Sequence, residues 1–349
     1  MTAVTAKAGG GRRLLFYVEQ DYSFDILRPL QAEAQRRGHD VRWLVFGEAS
    51  AGLLKPGEVA VADAAAAVRY APDAVFVPGD RVPAFIPGLK VEVFHGINED
   101  KRGNLIPERG LFDLYCTQSP AQTAMLKPLE AARGYFRVRE TGWVKLDTLF
   151  AHRRPDTPRD RPQILLASTF TPSLSGAEAL YPEIARLSKS PDWQWLVTLH
   201  PKMAPDIVAR YQALAGDNLQ FHGTDKVIEL LHRADVMVCD NSSILQEFLL
   251  LGKPVVSYRN RKPGPFLIDI QEPGQLHAAI VRALAPDAGL RAAIAAYGPA
   301  VTPWRDGASA GRIMAAVEEM LASGWQDRKP LNLLRNLKMR RQLHYYRFW

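Results

Sequence analysis

The sequence predicts a two-domain α/β protein in which each half is built on a largely parallel sheet. Three observations lead there. Short apolar runs alternate with helix-period segments along the 349 residues, the pattern of βαβ units. A charged, Pro-rich stretch at 152–162 (HRRPDTPRDRP) breaks the alternation once and has no apolar periodicity of its own. The alternation then restarts over a comparable length, as a chain long enough for two or three domains of roughly 100–200 residues allows.

The elements follow in order. Residues 1–11, ending Gly9-Gly10-Gly11, read as a flexible leader. Those glycines precede the first strand, so they are not a phosphate loop, which follows one. Strands are predicted at 14–18, 41–46, 74–77, 91–94, 114–116 and 136–138, with a helix over 24–37 that stops at Gly38. Residues 12–151 thus form a first Rossmann-like domain and 152–162 the linker. In the second domain, 163–325, strands are predicted at 163–167, 194–199, 218–221, 235–239 and 254–258. Helices are predicted there at 177–187, 244–251, 275–284 and 309–321. A basic, aromatic tail over 326–349 ends the chain. Ligands of open α/β sheets collect at the carboxyl ends of strands, so a cleft between the two domains is the expected site.

Composition narrows the class. Lys plus Arg number 44 against 37 Asp plus Glu, a formal net charge of +7. Seven of the basic residues (Arg328, Lys329, Arg335, Lys338, Arg340, Arg341, Arg347) lie in 328–349, which has no acidic residue; 44 − 7 leaves 37 against 37 in the body. A neutral body argues against a nucleic-acid binder. The two cysteines, Cys116 and Cys239, sit in apolar runs and read as free core thiols. No apolar run is long enough to span a membrane, and the N-terminus lacks the apolar core of a secretory signal. A reducing, cytoplasmic compartment is expected.

Asp240-Asn241-Ser242-Ser243 carries the most chemistry. It follows the strand 235–239 and opens the helix 244–251. A helix start offers unpaired N–H groups and a positive dipole end, which bind phosphate, and the hydroxyls add donors. A plain N-cap is the alternative. Glu247, about one turn on, is placed to accept from a ribose or glycerol hydroxyl, or is an ordinary helix charge. His200-Pro201-Lys202 ends the strand 194–199, with Lys202 supplying charge for a diphosphate, or His200 caps the strand. His95-Gly96 follows the strand 91–94. Its imidazole has the ordinary pKa to take a proton from a hydroxyl near neutral pH, and Gly96 allows close approach or a positive φ. His222-Gly223 also follows a strand and lines the expected cleft. His39, His152, His232, His277 and His344 read as structural or exposed. Without HExxH, paired CxxC or a carboxylate cluster, neither a protein-held metal nor a cofactor is expected.

The set His95-Gly96…Lys101, Gly142…Lys145…Asp147, His200-Pro201, Asp240-Asn241-Ser242-Ser243…Glu247-Phe248, Gly252-Lys253-Pro254 and Asp306-Gly307…Arg312 resembles the CDP-glycerol glycerophosphotransferase family. These are teichoic-acid and capsule polymerase-type enzymes of the GT-B fold. The resemblance runs over roughly 91–321, strongest in the second half. It implies two Rossmann-like domains facing across a cleft, a CDP-alcohol donor held mainly by the second, and a glycan or lipid-linked acceptor held mainly by the first. It implies that His95 is the general base and that His200, Ser242 and Ser243 hold the donor phosphates, with CMP released. Gly96, Lys101, Gly142, Lys145, Asp147, His222, Gly223 and Arg312 are then expected to line the cleft, and Lys202, Asp240, Asn241 and Glu247 to contact the donor. Asn241 stands where the family usually has Tyr, and an extra residue precedes Lys101. The chain is also similar to GT-B-like UDP-N-acetylglucosamine 2-epimerases, which usually carry Gly-Gly where this chain has Ser242-Ser243. A glycosyltransferase using a nucleotide-sugar donor is therefore the alternative. A catalytically silent subunit of a polysaccharide assembly complex is a third possibility, from another class.

In the tail, Leu331, Leu333, Leu334, Leu337 and Met339 alternate with basic residues, and Tyr345, Tyr346, Phe348 and Trp349 follow. Such a segment fits an interfacial helix on anionic lipid at the inner membrane face. A helix packed on the body with its basic side solvated fits as well.

Overall fold

Short runs of three to six residues, mostly apolar, form the strands, and most of these are buried on both faces, as parallel sheets covered by helices require. The computed structural model describes residues 11–96, 108–152, 159–326 and 328–347. In the first unit the strands are β1 (Arg13–Val18), β2 (Asp40–Val45), β3 (Ala74–Val77), β4 (Leu89–Glu92), β5 (Leu114–Thr117) and β6 (Arg137–Glu140). They form one six-stranded sheet in the order β2-β1-β3-β4-β5-β6, and every pairing is parallel. The second unit holds β7 (Gln163–Ser168), β8 (Gln194–Leu199), β9 (Leu219–Phe221), β10 (Val236–Cys239), β11 (Val255–Tyr258) and β12 (Leu267–Ile270). Its order is β12-β11-β10-β7-β8-β9, again all parallel.

The period of two along a strand sorts the first unit's core into two clusters. Leu14, Phe16 and Val18 of β1 face one way, against Leu27 and Leu30 of the helix Ser23–Arg36 and against Ile313, Met314, Val317 and Met320 of the helix Ser309–Ala322. Leu15 and Tyr17 face the other way, with Val75, Val77, Tyr115 and Val138.

Three expectations differ from the structure. The unit boundary is the largest difference. Residues 149–300 form the second unit, and 301–349 return to the first. The helix Ser309–Ala322, expected in the second domain, buries its apolar face on the first sheet and is tied there by Arg37–Glu318 and His39–Glu318 contacts of 2.8 and 3.1 Å. Strand β4 ends at Glu92, so Val93 and Phe94 belong to the turn that follows. Strand β12 was not expected: its four residues, Leu-Ile-Asp-Ile, are too few to show a period.

Candidate active site

The first-unit residues collect where β3 and β4 end. Beyond β4 the backbone at Phe94 takes φ 56°, the left-handed region. Phe94 is almost fully buried; a bulky residue held this way costs on the order of 1–3 kcal/mol. The strain turns the chain so that the next side chain, His95, stands exposed. Gly96 was expected to allow close approach or a positive φ; it carries no positive φ, the turn is made two residues earlier, at Phe94, and a Cβ on Gly96 would meet nothing within 4 Å. His95 Nδ1 lies 3.1 Å from the carbonyl oxygen of Pro78, just past β3. A carbonyl only accepts, so Nδ1 carries the proton and Nε2 keeps its lone pair. The Tyr22 ring stacks at a tilt on the imidazole, with centroids 5.0 Å apart. Beneath the loop, fully buried Gln118 donates to the Gly96 carbonyl at 2.9 Å and accepts from Trp143 Nε1 at 3.1 Å, its amide oriented by those neighbours. Lys101 lies outside the described residues.

The motifs around Gly142 and Arg312 come together, although 170 positions separate those two residues. Gly142 has φ 84°, and a Cβ there would sit 2.8 Å from Ser309 Oγ and 2.9 Å from Trp304 Cβ. Asp147 is buried and accepts the backbone N–H of Ser309 at 3.0 Å and of Ala310 at 2.6 Å, closing the start of the helix Ser309–Ala322. Burial pushes its carboxyl above the ordinary range, against the pull of those two N–H groups. Arg312 forks onto Asp306 at 2.6 and 2.7 Å and lies 4.0 Å over the Trp304 ring. Gly142 and Asp147, expected to line a cleft, fasten the returning chain onto the first unit, and Arg312, expected there too, is held within the returning segment by Asp306 and Trp304. Lys145 lies with its ammonium 5.5 Å from the Trp143 ring centre.

In the second unit the loop after β10 is organised by Asp240, whose carboxylate is buried. It accepts from Ser168 Oγ, from the N–H of Thr169 (3.1 Å), from that of Gly176 (2.9 Å) and from that of Ser242 (3.1 Å). Desolvation raises its pKa, and these donors oppose the rise. Asn241 donates to the Leu174 and Arg259 carbonyls at 3.1 and 3.3 Å and accepts from Arg261 N at 2.9 Å. Both were expected to touch a donor phosphate. Their oxygens and amide hold three loops together instead, which leaves Ser242 and Ser243 as the phosphate candidates. Ser243 sits at the N-cap of the helix Ile244–Leu250 without a side-chain capping bond, and it is exposed. Glu247, one turn in, is buried, so it is no ordinary surface charge. Lys253 of the Gly-Lys-Pro motif donates to the carbonyls of Leu231, His232 and Ala234 at 2.7–2.8 Å, closing the end of the helix Val227–Arg233.

His200 stands exposed at the end of β8. Its Nδ1 accepts from the backbone N–H of Lys202 at 3.0 Å, so the proton of the neutral ring is on Nε2. Burial, with Lys202 nearby, lowers its pKa and favours that neutral form. Phe170 packs on the imidazole at 4.4 Å between centroids, and Lys202 Nζ lies 5.9 Å from the same Phe170 ring. His222 follows β9, with Nε2 buried and without a partner among the described residues; burial, then Arg233, lowers its pKa. Gly223 beside it is exposed. Among the described residues, no group of three or more His, Cys, Asp or Glu could hold a metal ion.

Several site residues escaped the sequence reading. Tyr22, Pro78 and Gln118 touch the His95 turn only through long-range contacts. Phe170 and the loop Arg259–Lys262 reach their places through the bonds that radiate from Asp240 and Asn241. A signal existed for that loop: Arg-Asn-Arg-Lys follows a strand, as His-Pro-Lys does.

A family model described as CDP-glycerol:poly(glycerophosphate) glycerophosphotransferase matches residues 112–319. Among solved structures, the wall teichoic acid polymerase TagF has a TM-score of 0.64 at 14% identity, covering 90% of this chain and 90% of that one. A TagF variant soaked with CDPG has a TM-score of 0.58 at 16% identity, covering 89% of each chain. A putative UDP-N-acetylglucosamine 2-epimerase from Listeria monocytogenes has a TM-score of 0.61 at 14% identity, covering 90% of this chain and 98% of that one. At such identities the likeness is one of fold, the two-domain GT-B architecture. No curated protein sequence matches.

Proposed function

The chain belongs to the CDP-glycerol:poly(glycerophosphate) glycerophosphotransferase family, and from that premise we propose that it transfers glycerol phosphate, or a similar alcohol phosphate, from a CDP-activated donor to a hydroxyl of a glycan or lipid-linked acceptor. The observation that carries this is the family match, which covers the His200 and Asp240–Ser243 regions. His95 precedes the matched span, so its role rests on geometry. Its Nε2, unprotonated in the tautomer that the Nδ1–Pro78 bond selects, takes the proton of the acceptor hydroxyl. The acceptor oxygen bonds to the β-phosphorus, and the bond from that phosphorus to the bridging oxygen breaks. CMP leaves with that electron pair, and the proton on His95 passes to solvent. His200 Nε2–H, Lys202, Ser242 and Ser243 stabilise the charge on the transferring oxygens. Phosphoryl transfer depends chiefly on such positioning and neutralisation.

A lipid-linked acceptor sets this work at the inner membrane face. Among the described residues no helix is long and apolar enough to cross a membrane. Cys116 and Cys239 are free and buried, which suits a reducing compartment. Incubation with CDP-glycerol, CDP-ribitol and UDP-sugars tests the function. CMP release from a CDP-alcohol is expected. Release of UDP but never CMP would make the enzyme a nucleotide-sugar glycosyltransferase. Release of neither would leave a binding subunit.

A further inference from the structure

The chain's end is two-faced. After the helix Ser309–Ala322 it runs across the first unit and is pinned there by buried polar contacts. Asp113 accepts from Trp325 Nε1 at 3.1 Å and pairs with Lys329, both partners of that ion pair being buried. Asn332 donates to the carbonyls of Arg109 and Gly110 at 3.0 and 3.1 Å. Gly110 leaves room for this passage, since a Cβ there would lie 2.5 Å from Pro330 Cγ. The helix Leu333–Gln342 then seats one face on the body. Met339 is buried at 3.7 Å from the Tyr17 hydroxyl. Phe85 stacks on Tyr345 at 4.6 Å, with Arg340 over the same Phe85 ring at 4.7 Å.

The outer face is the anomaly. A seated helix normally turns charged or polar residues to water. Here Leu333, Leu334 and Leu337 point outward at 71%, 85% and 57% exposure, with Leu331 beside them at 75%. Arg335, Lys338 and Arg341 flank them, all exposed. No acidic residue occurs from Arg328 onward.

We infer that this outer face is a docking surface for an anionic lipid bilayer, with the leucines entering the headgroup–acyl boundary and the three cations on lipid phosphates. Charge decides between occupants. A second copy would bring a like-charged face against this one, whereas an anionic leaflet complements it. The seat on the first unit fixes the direction in which the leucines point. The inference deepens the lipid-linked acceptor proposed above but does not depend on the donor's identity. Phe348 and Trp349 lie outside the described residues.

The test is co-sedimentation of the full chain with vesicles of phosphatidylcholine plus phosphatidylglycerol, and with phosphatidylcholine alone. Three proteins are compared: wild type, Leu334→Ser/Leu337→Ser, and Arg335→Gln/Lys338→Gln/Arg341→Gln. The wild type is expected to bind the anionic vesicles. The triple variant should bind them roughly 100-fold more weakly, and the leucine variant at least about tenfold more weakly. Salt near 1 M, where the screening length is about 3 Å, should release the wild type. CMP release from CDP-glycerol without vesicles should be the same for all three proteins, because every substituted side chain is exposed and outside the candidate site. Equal vesicle binding by all three proteins overturns the inference. So does a dimer that the leucine substitutions dissolve while none of the proteins binds vesicles. Vesicle binding without any CMP release would leave the docking surface standing and remove the donor assignment.

Discussion

His95 and His200 each follow a strand end, one in each unit, and each is fixed through Nδ1 by a backbone group. The groups are opposite in kind. Pro78 offers a carbonyl, so His95 keeps its proton on Nδ1 and has an unprotonated Nε2. Lys202 offers an N–H, so His200 has its lone pair on Nδ1 and presents Nε2–H. The same side chain is thereby set up as an acceptor of protons in one unit and as a donor of hydrogen bonds in the other. Residue type alone does not distinguish the two; the local backbone does. Their surroundings differ in the same sense. His95 rests against an aromatic ring and a strained turn, and His200 shares an aromatic face with a lysine.

Breaking each side of this contrast should give unequal losses. His95→Ala removes the base, and CMP release from CDP-glycerol with acceptor should fall about 10²–10⁴-fold in kcat with little change in donor KM. His200→Ala removes one hydrogen bond to a charged oxygen, about 1.5–3 kcal/mol. Its loss of roughly 10–100-fold should show mainly in kcat/KM for the donor. A third substitution sharpens the first-unit side. Gln118→Met keeps the volume but leaves the Gly96 carbonyl and Trp143 Nε1 without the partner that joins them. A fall in unfolding free energy of about 1–3 kcal/mol is expected in denaturant melts. If Gln118 positions the His95 turn, kcat should drop while donor KM holds, and a variant that loses only stability would assign it to the scaffold.

The smallest effect is pH dependence in the second unit. His200, His222 and His232 all have pKa values lowered by burial from the ordinary 6.5. The unfolded chain therefore binds more protons than the native one just below that value, and stability rises with pH there. The contribution is whole above about 6.5 and is lost as pH falls through the native values. Hydrogen exchange between pH 7 and 5 should show amides of 149–300 losing protection before those of the first unit. A uniform loss would place the acid-sensitive groups elsewhere.

Much of the fold could be read from the residues. Short, wholly apolar runs such as Ile164–Leu166 and Val236–Val238 read as buried strands. The return of the helix Ser309–Ala322 to the first unit could not be read, because its apolar stripe would suit either sheet. In Asp240–Ser243 the loop was legible from its polar residues at a strand-to-helix turn. The division of labour within it was not, since all four residues look alike until their hydrogen bonds show that Asp240 and Asn241 serve the loops. The histidines were found by their positions after strands. Their tautomers depend on Pro78 and on a backbone bend at Lys202, which only the folded chain brings into contact with them.

The contrast between the two histidines is tested most directly by glutamine at each. A glutamine amide places an N–H donor near the former Nε2 but has no basic nitrogen. CMP release from CDP-glycerol should stay within about tenfold of wild type in His200→Gln and fall about 10²-fold or more in His95→Gln. Equal losses in the two variants, or a greater loss at His200, would contradict the assignment.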